Sequence, residues 1–210
     1  MPISLKIKEL LFHPDTFFVQ AAEFQGILRG LVLPAVIVLM SGISILLGAV
    51  LFAACKQPPS SEYSIIDSIA RTLQLSGFFS FIFPIIIWIL ATLIMYAASR
   101  KLSGSGTVMA TFQNTGYAML PTSIHGFASN LLTVLMMIVL PQDGSVPSFL
   151  AFAPVVILSS LGPVFILWSG YLWVCSIIHT HRISVGNAII AVGAAAIVIG
   201  LVYLAGLAFG

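Results

Sequence analysis

The chain has 210 residues, of which 60% are hydrophobic and 7% charged, with a formal net charge of +2. A soluble domain carries about 25% charged residues, so this composition cannot cover a water-facing surface, and it is too apolar for a disordered chain. The eight Lys and Arg are scattered, which excludes the basic stripe of a nucleic-acid binder, and a mean hydropathy of +1.14 points to a bilayer.

Residues 1–28 read as an amphipathic segment rather than a span. Ile3, Ile7, Leu10 and Leu11 share one helical face. His13-Pro14-Asp15 interrupts it, and Phe17, Phe18, Ala21 and Ala22 resume the stripe. Such a segment either lies in the membrane interface or packs under the bundle. No signal-peptide pattern is visible, because the apolar run begins only near Leu31.

Residues 29–210 form the membrane domain. Charged residues divide it into five long neutral runs, each long enough for the roughly 20 helical residues that cross a hydrocarbon core. Lipid leaves unpaired backbone groups unsatisfied and these runs do not alternate, so helices are expected rather than a barrel. The predicted fold is therefore all-α and polytopic, with five transmembrane helices at about 31–54, 75–99, 117–140, 149–178 and 186–209. Before the second span, "KQPPSSEYS" signals a turn, and Ser64-x-x-Asp67 offers a capping box for a short helix. Residues 102–115 are polar and glycine-rich, and read as a loop plus a short interfacial helix. The fourth span contains Pro154 and Gly162-Pro163. A kinked or tilted helix is expected there, with a re-entrant hairpin as the alternative.

With the N-terminus inside, the cytoplasmic side holds Lys6, Lys8, Arg29, Arg100, Lys101 and Arg182, while the outer side holds Lys56 and Arg71. The positive-inside rule then places the N-terminus in the cytoplasm and the C-terminus outside. Cys55 and Cys175 fall at opposite faces, which argues against a disulfide between them. Ser44-xxx-Gly48, Ala191-xxx-Ala195 and Ala196-xxx-Gly200 are spacings that permit close helix approach.

The third span carries the candidate binding residues. Thr122, His125, Ser129 and Thr133 recur at steps of three and four, flanked by Gly126 and Asn130. Polar groups at membrane depth face the bundle interior or a wet cavity. The functional reading is a small polar site with a titratable histidine; the plainer one is hydrogen bonding that glues helices together. All six acids lie outside the spans, and HExxH and GxSxG are absent. Protease and hydrolase chemistry therefore lacks its reagents, and no catalytic residue, cofactor or metal ligand is expected. His179 and His181, two apart at a span end, make a weak ligand pair, and a cationic rim explains them better. The "GSG" at 104–106 lacks the GKS/T ending of a phosphate loop.

Three stretches carry a resemblance: "LLFHPDTFF", "RGLVLPAVIV" and "GSGTVMATFQNTGYAMLP", the last with a glycine, Phe, Gly-Tyr, Pro order. Together with the span count and orientation they resemble the YIP domain family of Ypt/Rab-interacting membrane proteins. The resemblance implies a multi-pass helical protein. Eukaryotic members act in vesicle traffic and contact small GTPases. Before its first span the chain lacks the Asp-Leu-x-Gly-Pro stretch of those members, and has only a short segment there. This argues against GTPase binding and for a short prokaryotic member in the cell membrane. The expected role is a non-enzymatic protein that binds or organises other membrane proteins or lipids, its partners being the bilayer, other membrane proteins or further copies of itself. The alternative is a small transporter or channel subunit with a polar path along the third span.

Overall fold

A computed structural model describes residues 3–23, 27–55, 78–139 and 148–209. The described residues form helices α1 (Ile3–Phe12), α2 (Pro14–Glu23), α3 (Ile27–Cys55), α4 (Phe78–Lys101), α5 (Val108–Tyr117), α6 (Leu120–Val139), α7 (Ser148–Ser160), α8 (Gly162–His181) and α9 (Val185–Phe209). The expected turn and capping box within 56–71 lie outside the described residues. Among the described residues, four stretches are long and apolar enough to cross a membrane: Gly30–Gly48, Ile82–Lys101, Val156–His181 and Val185–Val202. The protein is thus an integral, multi-pass helical membrane protein. Helix α6 occupies most of the third expected span.

The long helices close into a ring. Helix α3 packs on α4, α4 on α9, α9 on α8, α8 on α6, and α6 returns to α3. Helix α7 lies against α6 and leads into α8. The chain passes between α7 and α8 through Leu161 in right-handed helical geometry (φ −79°, ψ −8°), and Val164 N–H donates to Leu161 O at 2.9 Å. The two pieces therefore run on as one interrupted helix instead of doubling back. Pro163 supplies the interruption, since it has no N–H to continue the ladder.

Helix α5, expected as a short interfacial helix, is packed into the bundle. It sits against α3, α4 and α8, and Thr111, Gln113, Asn114, Thr115 and Gly116 are buried. A ten-residue helix as polar as this one can enter a bundle only if its neighbours supply hydrogen-bond partners.

Two apolar clusters flank it. One joins Leu10, Phe17 and Phe18 of the N-terminal helices to Ile37, Ala118, Leu172 and Cys175. Phe18 is fully buried and the Phe17 ring meets Tyr117 edge-on at 5.1 Å, so the amphipathic stripe of α1 and α2 packs on the bundle. The other joins Ala91 and Met95 of α4 to Ile177 of α8 and to Ala188, Ala191 and Ala195 of α9. The small side chains at 191 and 195 let α9 approach α4 closely. Ala196 and Gly200 face outward instead.

Candidate functional site

The polar groups of the bundle fall in two places. The first surrounds α5. Thr107 caps the helix from extended geometry (φ −94°, ψ 155°), accepting from Ala110 N–H at 3.2 Å. Thr111 Oγ1 donates to Thr107 O at 2.8 Å, and His181 Nε2 lies 2.9 Å from the same hydroxyl. A hydroxyl has one proton, so His181 Nε2 must be the donor to Thr111. That leaves His181 Nδ1 as the bare nitrogen, and it is buried without a partner among the described residues.

One turn on, Asn114 Nδ2 donates to Thr180 Oγ1 at 2.8 Å. Thr115 Oγ1 donates to Phe112 O at 3.2 Å. It therefore accepts from Thr92 Oγ1 at 2.8 Å and from Trp88 Nε1 at 3.2 Å. Trp173 Nε1 donates to the Thr115 carbonyl at 3.1 Å. Helices α4 and α8 are thus both pinned to α5 by directional bonds inside an apolar wall.

The quoted sequence stretches meet here. Pro34 lacks the N–H that would bond Gly30 O within α3, and Tyr117 Oη donates to that carbonyl at 3.4 Å. A Cβ on Gly116 would lie 2.6 Å from Pro34 Cβ and 2.9 Å from the Trp88 ring, so only glycine allows this crossing. The "GSG" loop is equally confined. A Cβ on Gly104 would lie 2.9 Å from His181 Cβ, and one on Gly106 would lie 2.6 Å from Thr180 O. Ser105 N–H donates to His181 O at 3.0 Å, which ties the loop to the end of α8. Ser103 turns the chain at positive φ (68°).

The second place is the predicted face of α6. Thr122 exchanges long contacts of 3.4 Å with Ser169 on α8. His125 Nε2 donates to the Leu158 carbonyl at 3.0 Å, at the interruption between α7 and α8, and its ring lies 4.9 Å from that of Phe165. Asn130 turns to the other side, where Nδ2 donates to Ser44 O at 2.7 Å and Oγ at 2.8 Å on α3. Gly126 and Gly48 give this crossing its room, with Ser44 Oγ 2.9 Å and Asn130 Oδ1 3.0 Å from where their Cβ atoms would stand. Thr133 donates back to Ser129 O at 2.9 Å, and Ser129 Oγ is buried without a partner among the described residues. Ser41 and Ser123, which the pattern did not single out, meet at 2.6 Å between α3 and α6.

His179 and His181 diverge. His179 Nε2 sits 2.9 Å from Asp15 Oδ1 on α2, while His181 turns inward to Thr111.

The buried polar layer around α5 was missed in the sequence. Its available signal was Thr111, Asn114 and Thr115 crowded into one short segment of a chain with so few polar residues. A family model for the Yip1 domain matches residues 8–207. No curated protein and no solved structure matches the chain.

Proposed function

Since the chain belongs to the Yip1 domain family, we propose that it is a non-enzymatic membrane protein that binds or organises other membrane proteins or lipids. The observation that supports this most is how the interior polar groups are used. Thr92, Thr111, Asn114, Thr115, Thr180 and His181 bond to one another across helices, and α5 fills the ring they line. A path for solute would need such groups to face one another across open space. On α6, His125 and Asn130 likewise spend their donors on Leu158 and Ser44. This use favours a rigid framework presenting its outer surface over the transporter alternative.

The framework reading places five spans in the bilayer, with α6 as the third, the N-terminus in the cytoplasm and the C-terminus outside. The Lys and Arg distribution supports that orientation. Partners are other membrane proteins, lipids or further copies of the chain. Crosslinking in the native membrane followed by mass spectrometry is expected to recover the same few membrane neighbours reproducibly. Reconstituted protein that carries an ion or solute flux, abolished by His125→Ala while fold and abundance persist, would decide for transport instead.

A further inference from the structure

Two candidate membrane spans end side by side at the glycine loop, one at Lys101 and one at His181. Arg100 Nη1 donates to Gly104 O at 3.0 Å, and Ser105 N–H holds the His181 carbonyl, so Arg100, Lys101 and Arg182 gather round one short turn. All three are exposed. Among the described residues the ion pair is His179 with Asp15, so none of the three cations is neutralised by a carboxylate. Ser103, Ser105 and Thr107 add exposed hydroxyls between them. The loop also delivers the N-terminus of α5, whose first N–H groups have no partner within the helix and carry the positive end of its dipole.

The surroundings distinguish a lipid from a dissolved anion. Val108 and Met109, the first two residues of α5, are 39% and 40% exposed beside the cations. Apolar side chains next to unpaired cations, at the level where two apolar spans stop, match the boundary between acyl chains and phosphates. From these observations we propose that the turn 100–107 together with Arg182 is a binding site for the phosphate group of an anionic phospholipid. Arg100, already bonded to the loop, shapes the turn. Lys101 and Arg182 supply mobile charge to the phosphate, Thr107 offers a hydroxyl donor, the Ser105 hydroxyl stays on the His181 carbonyl at 3.5 Å, and Val108 and Met109 rest against the acyl chains. This deepens the organising role proposed above and rests on it, by naming a lipid class and the place where it is held.

Native mass spectrometry of the full chain in detergent tests the site, with phosphatidylglycerol or phosphatidylcholine of identical acyl chains as probes. Wild-type protein is expected to hold phosphatidylglycerol about thirtyfold more tightly, the equivalent of the roughly 2 kcal/mol that two cations contribute near an anionic surface. Lys101→Gln with Arg182→Asn removes two charges while retaining a residue that tolerates the left-handed cap at 182 (φ 55°), and should erase the preference. Ser105→Glu, which places a carboxylate in the turn and spares every cation, should do the same if the double variant folds poorly. Lys8→Gln, removing an exposed cation from α1, should leave the preference intact. Retention of the preference in Ser105→Glu and the double variant overturns the site. So does an equal loss in Lys8→Gln, which would mean diffuse attraction, or inorganic phosphate alone binding as tightly as the lipid. Native-membrane crosslinks that persist while lipid preference proves absent would sink this site and leave the organising role standing.

Discussion

Helices meet around α5 and along α6 by different means, and the contrast bears on which residues the fold depends on. Around α5 bonds between helices join two side chains, as in Thr111 with His181, Asn114 with Thr180, and Thr92 with Thr115, beside the bond from Trp173 to the Thr115 carbonyl. Along α6 the longer donors reach backbone oxygens: His125 takes the Leu158 carbonyl, and Asn130 takes that of Ser44 together with its hydroxyl. Side-chain pairs demand two matching residues and leave a buried orphan when one is lost. A carbonyl already bonded within its own helix loses little when a second donor goes. The α5 layer should therefore be brittle and the α6 face tolerant.

The sharpest way to break that contrast is at the tightest contact. Gly116→Val forces side-chain atoms into Pro34 and Trp88, and overpacking of this kind costs about 3 kcal/mol or more, enough to prevent recovery of folded protein. The readout is monodisperse yield from size-exclusion chromatography in detergent. Gly126, whose Cβ would meet only the Ser44 hydroxyl, should accept alanine with a far smaller loss.

Removing one member of a side-chain pair comes next. Asn114→Leu strands Thr180, and Thr111→Val strands the His181 N–H. Each should cost about 1–3 kcal/mol, measured by unfolding followed through tryptophan fluorescence, with Trp88 and Trp173 reporting directly on this layer. A smaller effect is expected on α6, where His125→Phe loses one bond to a carbonyl and should cost about 0.6 kcal/mol, the average for interhelical bonds in membranes. If His125→Phe proves more damaging than Thr111→Val, the contrast fails. Smallest of all is Asp15→Asn, which removes an ion pair whose carboxylate side chain is 68% exposed. About 0.5 kcal/mol is expected, declining further in high salt.

The sequence disclosed these regions unequally for physical reasons. Long apolar runs bounded by charge mark helices locally, and the 3.6-residue repeat put Thr122, His125 and Thr133 on one face without knowledge of any partner. What that face touches was hidden, because the acceptor for His125 is a backbone carbonyl at the interruption before Gly162-Pro163, and a carbonyl leaves no side-chain signature. The burial of helix α5 was missed for a related reason. Its polarity suited an interface as well as a buried layer, and the choice depends on Thr180 and His181, which lie far along the chain. Spacings of small residues were equally ambiguous. Ser44 and Gly48 serve the α3–α6 crossing and Ala191 and Ala195 serve the α4–α9 packing, whereas Ala196 and Gly200, at the same interval, face outward.

The ring also has an order of manufacture. Its seam lies between α4 and α9, and the buried face of α4 (Ala91, Met95) is covered by a helix synthesised after all the others of the ring. Until α9 has been made, that face remains open to lipid or to any insertion factor able to shield it. A nascent chain stalled before Val185 would therefore hold an unfinished wall, with Ala91 and Met95 of α4 uncovered by α9.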